Sequence, residues 1–263
     1  MLIDNKFIYL SLPRCASTAF HYSCLVENIK VETNNGEWET ANADIDFTLI
    51  DKKDLMNHIY HGHESIIDLQ LKFGFNYPVI AVKRQRHERF YSLYKHLLFD
   101  FQRLGFHKFY DTFSKLTIDE LFFFTKEDIM NKKKRWDKIC EYLINLNLID
   151  EKIDISVTSK FRKTEEDYFK TNTKGYAINM IDILLTPISH WTNNDPNILW
   201  FDFDKMDSLE FWVSEKLNKP FKLHSANSSK HMEGEIILND YFIKKYNTIY
   251  DYYDHPKSIK TLI

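Results

Sequence analysis

Short apolar runs separated by longer amphipathic segments set the pattern of this 263-residue chain. Residues 6–12 (KFIYLSL) are rich in β-branched and aromatic side chains, which predicts a buried strand. Pro13 ends the run, and Ser17 or Thr18 is placed to cap a helix that continues through residues 20–25. The order of strand, tight turn and helix predicts a first α/β unit.

The same order returns further along the chain. Residues 78–83 (PVIAVK) predict a second strand, and residues 88–103 predict a helix with aromatic and leucine side chains on one face. The polar residues 32–46 between the two units are expected to form a loop. A short strand is expected at residues 47–50, ahead of the segment 58–74.

The rest of the chain also alternates helix and strand. Thr117 and Glu120 have the spacing of a capping box. Further elements are predicted as a helix at 127–146, a strand at 197–203 (NILWFDF), a helix from 207 to about 217 and a last helix at 239–253. No repeat and no break in composition divides the chain. We therefore expect one domain, residues 1–263, of the α/β class with a central parallel sheet flanked by helices.

Composition and charge restrict the partners. Hydrophobic residues make up 44% and charged residues 28% of the chain, as in ordinary globular proteins. The net charge of −3 argues against general nucleic-acid binding but is compatible with a local basic pocket. The most basic run, residues 132–135 (KKKR), lies in a helical pattern and is expected to form a solvated helix face.

The cysteines and the hydropathy pattern indicate a cytoplasmic, soluble protein. Cys15, Cys24 and Cys140 form neither a CxxC pair nor an even framework, so a disulfide scaffold or structural zinc site is not expected. The first 12 residues lack the pattern of a signal peptide, and no run of about 18 apolar residues follows. A membrane is therefore not an expected partner.

Residues 12–18 (LPRCAST) are a candidate anion site. Small side chains let backbone N–H groups approach an anion, while the helix N-terminus, the hydroxyls and Arg14 add donors and positive charge. The Walker A pattern GxxxxGK[ST] is absent from this segment. An ordinary capped helix after a strand remains the alternative.

Residues 83–92 (KRQRHERFYS) place a cluster of cations between a predicted strand and a predicted helix. Ligands bind at the carboxyl ends of strands in open parallel sheets. Arg84 could pair with a phosphate, and Ser92, eight residues later, could reach the same anion. The alternative is a group of surface charges that pair with Glu88.

Residues 59–65 (IYHGHES) contain two histidines separated by one glycine. Such a pair suits a metal site, a general base or a hydrogen-bonded turn. A zinc site would need a third ligand such as His58 or a distant carboxylate, and the sequence has no typical spacing for one.

Together and in this order, the three segments resemble the sulfotransferases that use 3′-phosphoadenosine 5′-phosphosulfate (PAPS), most closely heparan sulfate 2-O-sulfotransferase and its uronyl relatives. Residues 13–18 (PRCAST) are similar to the family's PKTGST-type loop. Residues 60–65 (YHGHES), followed by Asp68 and residues 72–74 (KFG), are similar to its Tyr-His-Gly-His stretch. Arg84, Arg89 and Ser92 resemble its 3′-phosphate segment. The resemblance covers about residues 6–100.

The resemblance implies a P-loop-like sulfotransferase fold, PAPS as the donor and no metal ion. The expected acceptor is a hydroxyl group, with a carbohydrate as the expected class. His63 is expected to act as general base, and His61 to orient the acceptor or carry a proton. Arg14 is expected to stabilise the departing phosphate. The expected donor-binding residues are Arg14, Cys15, Ala16, Ser17, Thr18, Arg84, Ser92 and Lys230, with an exposed loop lysine as the alternative for Lys230.

Two substitutions separate the chain from the family pattern. Arg14 stands where the family has Lys, and Ala16 stands where it has Gly, which narrows the room for backbone approach. A family-like membrane anchor and a basic surface are also missing, so heparan-like polymers are not the expected acceptors. Residues 32–46, 101–115 and 171–194 are expected to form acceptor-specificity loops.

Three other functions remain as alternatives. One is a catalytically degenerate sulfotransferase fold that serves as a nucleotide- or glycan-binding module. The second is a P-loop kinase, against which the missing Walker A and magnesium signatures count. The third is a metal protein built on the two histidines.

Overall fold

The computed structural model describes residues 1–33, 63–116, 120, 128–129, 131–155, 173–224 and 244. The chain divides into two compact units. The first comprises residues 1–89, 188–228 and 252–263, and the second comprises residues 90–187 and 229–251. Of the loop expected at 32–46, Glu32 lies in a strand instead, and residues 34–46 lie outside the described residues. The expected strand at 47–50, the capping box at Thr117 and the last helix at 239–253 also lie outside them, apart from the helical Lys244.

The first unit contains a five-stranded sheet in the order β3-β1-β2-β4-β5. Its strands are β1 (Leu2–Ile3), β2 (Phe7–Leu10), β3 (Val31–Glu32), β4 (Val79–Lys83) and β5 (Leu199–Asp202). The pairs β2–β4 and β4–β5 are parallel, with Ile8 opposite Val79 and Ile80 opposite Leu199. The predicted strands at 6–12, 78–83 and 197–203 are thus confirmed.

The expected central parallel sheet is confirmed for β2, β4 and β5, but the sheet as a whole is mixed, because β1 pairs antiparallel with both β2 and β3. Asp4 and Asn5 have φ of 48° and 52°, and the Lys6 amide donates to the Ile3 carbonyl at 2.8 Å. Asp4 and Asn5 are the central residues of a tight turn within the three-residue connection between Ile3 and Phe7, and their positive φ values are typical of a hairpin, whose flanking strands run antiparallel. The protein is an α/β protein with a mixed sheet.

The described helices are α1 (Ser17–Val26), α2 (Ile66–Phe73), α3 (Arg86–Arg103), α4 (His107–Phe113), α5 (Lys132–Asn145), α6 (Thr173–Leu185), α7 (Ser189–Thr192) and α8 (Met206–Leu217). The helices predicted after residue 17, at 88–103 and from 207 are confirmed. The helix predicted at 127–146 is confirmed from Lys132 onward, because Asn131 is its extended N-cap and accepts from the Lys134 amide. α2 begins with a reciprocal capping box between Ser65 and Asp68 and ends at Gly74, whose φ is 100°. Within the described residues, no helix has the length and hydropathy needed to cross a membrane.

The core of the first unit explains why β2 has no polar face. All four β2 residues are fully buried, because helices cover the sheet on either side of this central strand. The Tyr9 and Phe20 rings stack at 3.9 Å, and Phe7 meets Trp212 edge to face at 5.1 Å. The Tyr9 hydroxyl donates to the Cys15 carbonyl at 3.1 Å, so the core reaches directly into the turn that follows β2.

The second unit is helical in its described part, and it corrects two expectations about loops. Residues 101–115 include α4, and residues 171–194 include all of α6, together with α7 of the first unit. The basic run at 132–135 is solvated only at its three lysines. Arg135 is 1% exposed and pairs with Asp182 of α6, with 2.5 Å between Nε and Oδ1.

Candidate functional site

The turn between β2 and α1 contains two residues in the left-handed region. Arg14 has a φ of 60° and Ala16 a φ of 61°, a conformation that glycine adopts at far lower cost. Ala16 is the N-cap of α1, and within the described residues no side chain caps the helix. The expectation that Ser17 or Thr18 caps α1 is therefore wrong. The tight turn starts the helix at Ser17, so the two hydroxyls belong to its first turn.

The beginning of α1 is electrostatically suited to an anion. Its first turn, residues 17–20 (STAF), contains no acidic side chain. The first N–H groups of a helix have no partner within the helix and carry the positive end of its dipole. Ser17 is buried and Thr18 is partly exposed, so backbone and hydroxyl donors occur together here.

Arg84 directly follows β4 and lies beside the same turn. Its positive charge and its backbone both act to lower the pKa of the Cys15 thiol. Its guanidinium carbon lies 4.5 Å from the centroid of the Phe203 ring, and its Nε lies 3.5 Å from Glu88 Oε2. Stacking occupies the face of the guanidinium and leaves the N–H groups in its plane for an anion. The Glu88 pairing that the alternative predicts is thus present, at a loose distance.

Arg89 approaches the turn from within the protein. Its side chain is 1% exposed, and Nε donates to the Pro13 carbonyl at 3.3 Å. The guanidinium carbon also lies 5.3 Å from the centroid of the Trp191 ring in α7. A buried arginine on the first turn of α3 therefore supports the main chain of the β2–α1 turn.

The pKa of the Cys15 thiol reflects its burial and the positive charges around the turn. Burial raises the pKa of the Cys15 thiol, and the positive charges of Arg89, Arg84 and Arg14 oppose that rise. Three guanidinium groups therefore act on one sulfur atom at the carboxyl ends of β2 and β4. Cys15 is 0% exposed, which argues against direct contact between its side chain and a ligand.

His63 lies next to the residue at which β2 enters the turn. Its Nδ1 is 2.9 Å from the Ser11 carbonyl oxygen and 3.3 Å from the Ser11 hydroxyl. A carbonyl oxygen only accepts, so Nδ1 carries the hydrogen and Nε2 of the neutral ring carries the lone pair. His63 and Ser11 are 52 positions apart, and the fold brings this histidine to the start of the β2–α1 turn.

A cavity of about 360 Å³ opens at the carboxyl ends of β4 and β5. Its walls are formed by residues 83–85 and 202–205, and Lys83 pairs with Asp202 across it at 3.1 Å. Residues 202–205 were not among the predicted site residues. The predicted strand at 197–203 and the preference of ligands for the carboxyl ends of parallel strands could have identified them.

The remaining predicted site residues fall in the second unit or outside the described residues. Ser92 lies in the second unit, where it is buried within α3. His61 and Lys230 lie outside the described residues. No cluster of three or more His, Cys, Asp or Glu side chains with a metal-binding arrangement occurs in the part of the chain that the structure describes.

Comparison with known proteins identifies no relative: no family model, no curated protein and no solved structure matches the chain.

Proposed function

We propose that this protein is a sulfotransferase that moves a sulfuryl group from PAPS to a hydroxyl group of an acceptor, with a carbohydrate as the acceptor class. One observation carries the proposal. A histidine with its Nε2 lone pair fixed by a backbone contact lies at the same strand end as a turn on which three arginines act. A general base beside an anion site is the arrangement that sulfuryl transfer to a hydroxyl requires.

The β2–α1 turn is the proposed site for the 5′-phosphosulfate. The N–H groups at the start of α1 and the hydroxyls of Ser17 and Thr18 would donate to it, and Arg14 would offset its charge. Arg84 would bind the 3′-phosphate through the in-plane N–H groups of its guanidinium. The cavity beside Phe203 has the volume for a group the size of a nucleoside.

The transfer step uses these groups as follows. The acceptor oxygen attacks sulfur, and its proton moves to Nε2 of His63. The bond between sulfur and the bridging oxygen of the 5′-phosphate breaks, and 3′-phosphoadenosine 5′-phosphate (PAP) leaves with the electron pair. Arg14 and the N–H groups of α1 stabilise the charge that develops on the departing phosphate. No step is assigned to a metal ion.

The proposal includes the P-loop-like sulfotransferase fold. This fold is supported by the order of β2, a turn with positive φ values, and α1, whose first turn contains no acidic residue. His61 and Lys230 keep their predicted roles toward the acceptor and the donor, and Ser92 keeps its predicted role toward the 3′-phosphate.

Turnover of PAPS in the presence of a saccharide panel tests the proposal. We expect release of PAP together with a product heavier by one SO₃ group. The His63→Ala variant should bind the nucleotide yet release PAP far more slowly. Binding of PAP without turnover on any acceptor would instead favour the degenerate binding module. Dependence on magnesium and ATP would favour the kinase.

A further inference from the structure

A buried contact joins the β2–α1 turn to the junction between β4 and α3. It is the hydrogen bond from Arg89 Nε to the Pro13 carbonyl at 3.3 Å. Pro13 opens the turn, and Arg89 lies five residues after Arg84 on the junction. The turn is therefore held by the same short stretch of chain that contains Arg84.

The surroundings of this contact are dry. Arg89 is 1% exposed, so little water can compete for the hydrogen bond. The planar guanidinium of Arg89 also packs against Trp191, which restricts its orientation. A hydrogen bond in such surroundings defines a distance more sharply than a contact between exposed side chains.

We propose that Arg89 is a positioning residue that fixes the separation between the two phosphate-binding segments. This inference rests on the proposed function, which assigns the 5′-phosphosulfate to the turn and the 3′-phosphate to Arg84. A rigid spacing lets a 3′,5′-bisphosphate engage both segments at once. Recognition of the bisphosphate then depends on the link between the two segments as well as on the segments themselves.

The physical signature of this role is an effect on bivalent binding. A ligand that engages two linked sites gains affinity only when the geometry of both sites is satisfied together. A loosened link should weaken PAP strongly and should weaken adenosine 5′-monophosphate (5′-AMP) and adenosine 3′-monophosphate (3′-AMP) much less. A residue that acts by charge alone would weaken all three nucleotides by similar factors.

The test is calorimetric titration of the wild type and of Arg89→Lys with PAP, 5′-AMP and 3′-AMP. Lysine keeps the positive charge but loses the planar fork. We expect the preference for PAP over each monophosphate to fall by roughly tenfold to a hundredfold in this variant. Arg135→Lys is the matched control, since Arg135 is equally buried in the second unit. It should keep the wild-type preference.

The ring that packs against Arg89 provides an independent variant. Trp191→Leu removes the packing partner of the guanidinium without disturbing a buried charge, and it should lower the preference for PAP in the same direction. Equal weakening of all three nucleotides, or an unchanged preference in both Arg89→Lys and Trp191→Leu, would overturn the inference while leaving the proposed function intact. A wild type that does not prefer PAP to the monophosphates would overturn the proposed function first.

Discussion

Arg89 in the first unit and Arg135 in the second unit are each 1% exposed, but their hydrogen bonds end on different kinds of group. Arg135 donates to both carboxylate oxygens of Asp182, from Nε at 2.5 Å and from Nη2 at 3.2 Å, and to the Ile129 carbonyl. Arg89 donates from Nε to the Pro13 carbonyl in the β2–α1 turn. Two equally buried arginines thus have different roles: Arg135 pairs with a carboxylate, and Arg89 supports the main chain of a turn.

The difference shows where each charge acts. The bidentate pair of Arg135 and Asp182 joins α5 to α6 and offsets the positive charge within the core of the second unit. The charge of Arg89 extends to the turn, where it counteracts the rise that burial causes in the pKa of Cys15. We therefore expect changes around Arg135 to alter stability, and changes around the turn to alter ligand binding and turnover.

The largest effect is expected from His63→Ala, which removes the proposed base. Turnover should fall by roughly 10²–10⁴-fold, because the acceptor proton loses its receiving atom. PAP affinity should stay close to that of the wild type. Steady-state rates and calorimetry on the same preparation measure both, with His107→Ala, at the exposed start of α4, as control. Full turnover in His63→Ala would remove this residue from the mechanism.

Asp182→Asn should produce the opposite profile in the second unit. It leaves the buried Arg135 charge without its carboxylate, which costs about 3–5 kcal/mol of unfolding free energy. Urea unfolding measures the loss, and PAP affinity of the folded variant should be retained. The double variant Arg135→Met with Asp182→Leu should regain most of the stability. A loss below about 1 kcal/mol would mean that the pair does not hold α5 and α6 together.

Arg84→Ala tests the prediction that changes around the turn alter ligand binding. Loss of a charge-assisted hydrogen bond costs about 1.5–3 kcal/mol, so PAP should bind roughly tenfold to a hundredfold more weakly. Binding of 5′-AMP should change far less, because it lacks the 3′-phosphate. Arg86→Ala, two residues further along, is the matched control. Unchanged PAP affinity in Arg84→Ala would contradict the assignment of Arg84 to the 3′-phosphate.

The smallest effect is expected from Ala16→Gly. Relief of the left-handed conformation at φ 61° should raise the unfolding free energy by about 1 kcal/mol, less the entropy that glycine gains in the unfolded chain. Ala19→Gly, inside α1, should instead lower it by about 1 kcal/mol. Thermal unfolding of the two variants side by side measures the contrast. Destabilisation by Ala16→Gly equal to that by Ala19→Gly would show that the turn carries no strain.

The local hydrophobic pattern was sufficient to predict the strands and helices around the turn. Apolar runs bounded by Pro13 and Pro78 correspond to β2 and β4, because central parallel strands are buried on both faces. α6 escaped prediction because its sequence (TKGYAINMIDILL) is apolar nearly all round and contains Gly175. The β1–β2 hairpin escaped it because a two-residue strand is too short to show a period.

The candidate site could be predicted as a set of segments but not as a set of contacts. The resemblance, which remains a prediction, proposed the turn, Arg84 and His63 from their order in the sequence. The contact of His63 with Ser11 depends on how the chain folds across 52 positions, which no local pattern encodes. Arg89 was one of several cations in residues 83–92, and only its burial against Pro13 and Trp191 distinguishes it.

The most direct test of the central claim is a calorimetric titration of the purified protein with PAP, with ATP and 5′-AMP as controls. The proposed donor site predicts tight binding of PAP and clearly weaker binding of both controls, because only PAP engages the turn and Arg84 together. No binding of PAP, or binding of ATP with equal affinity, would contradict the assignment of this protein as a PAPS-dependent sulfotransferase.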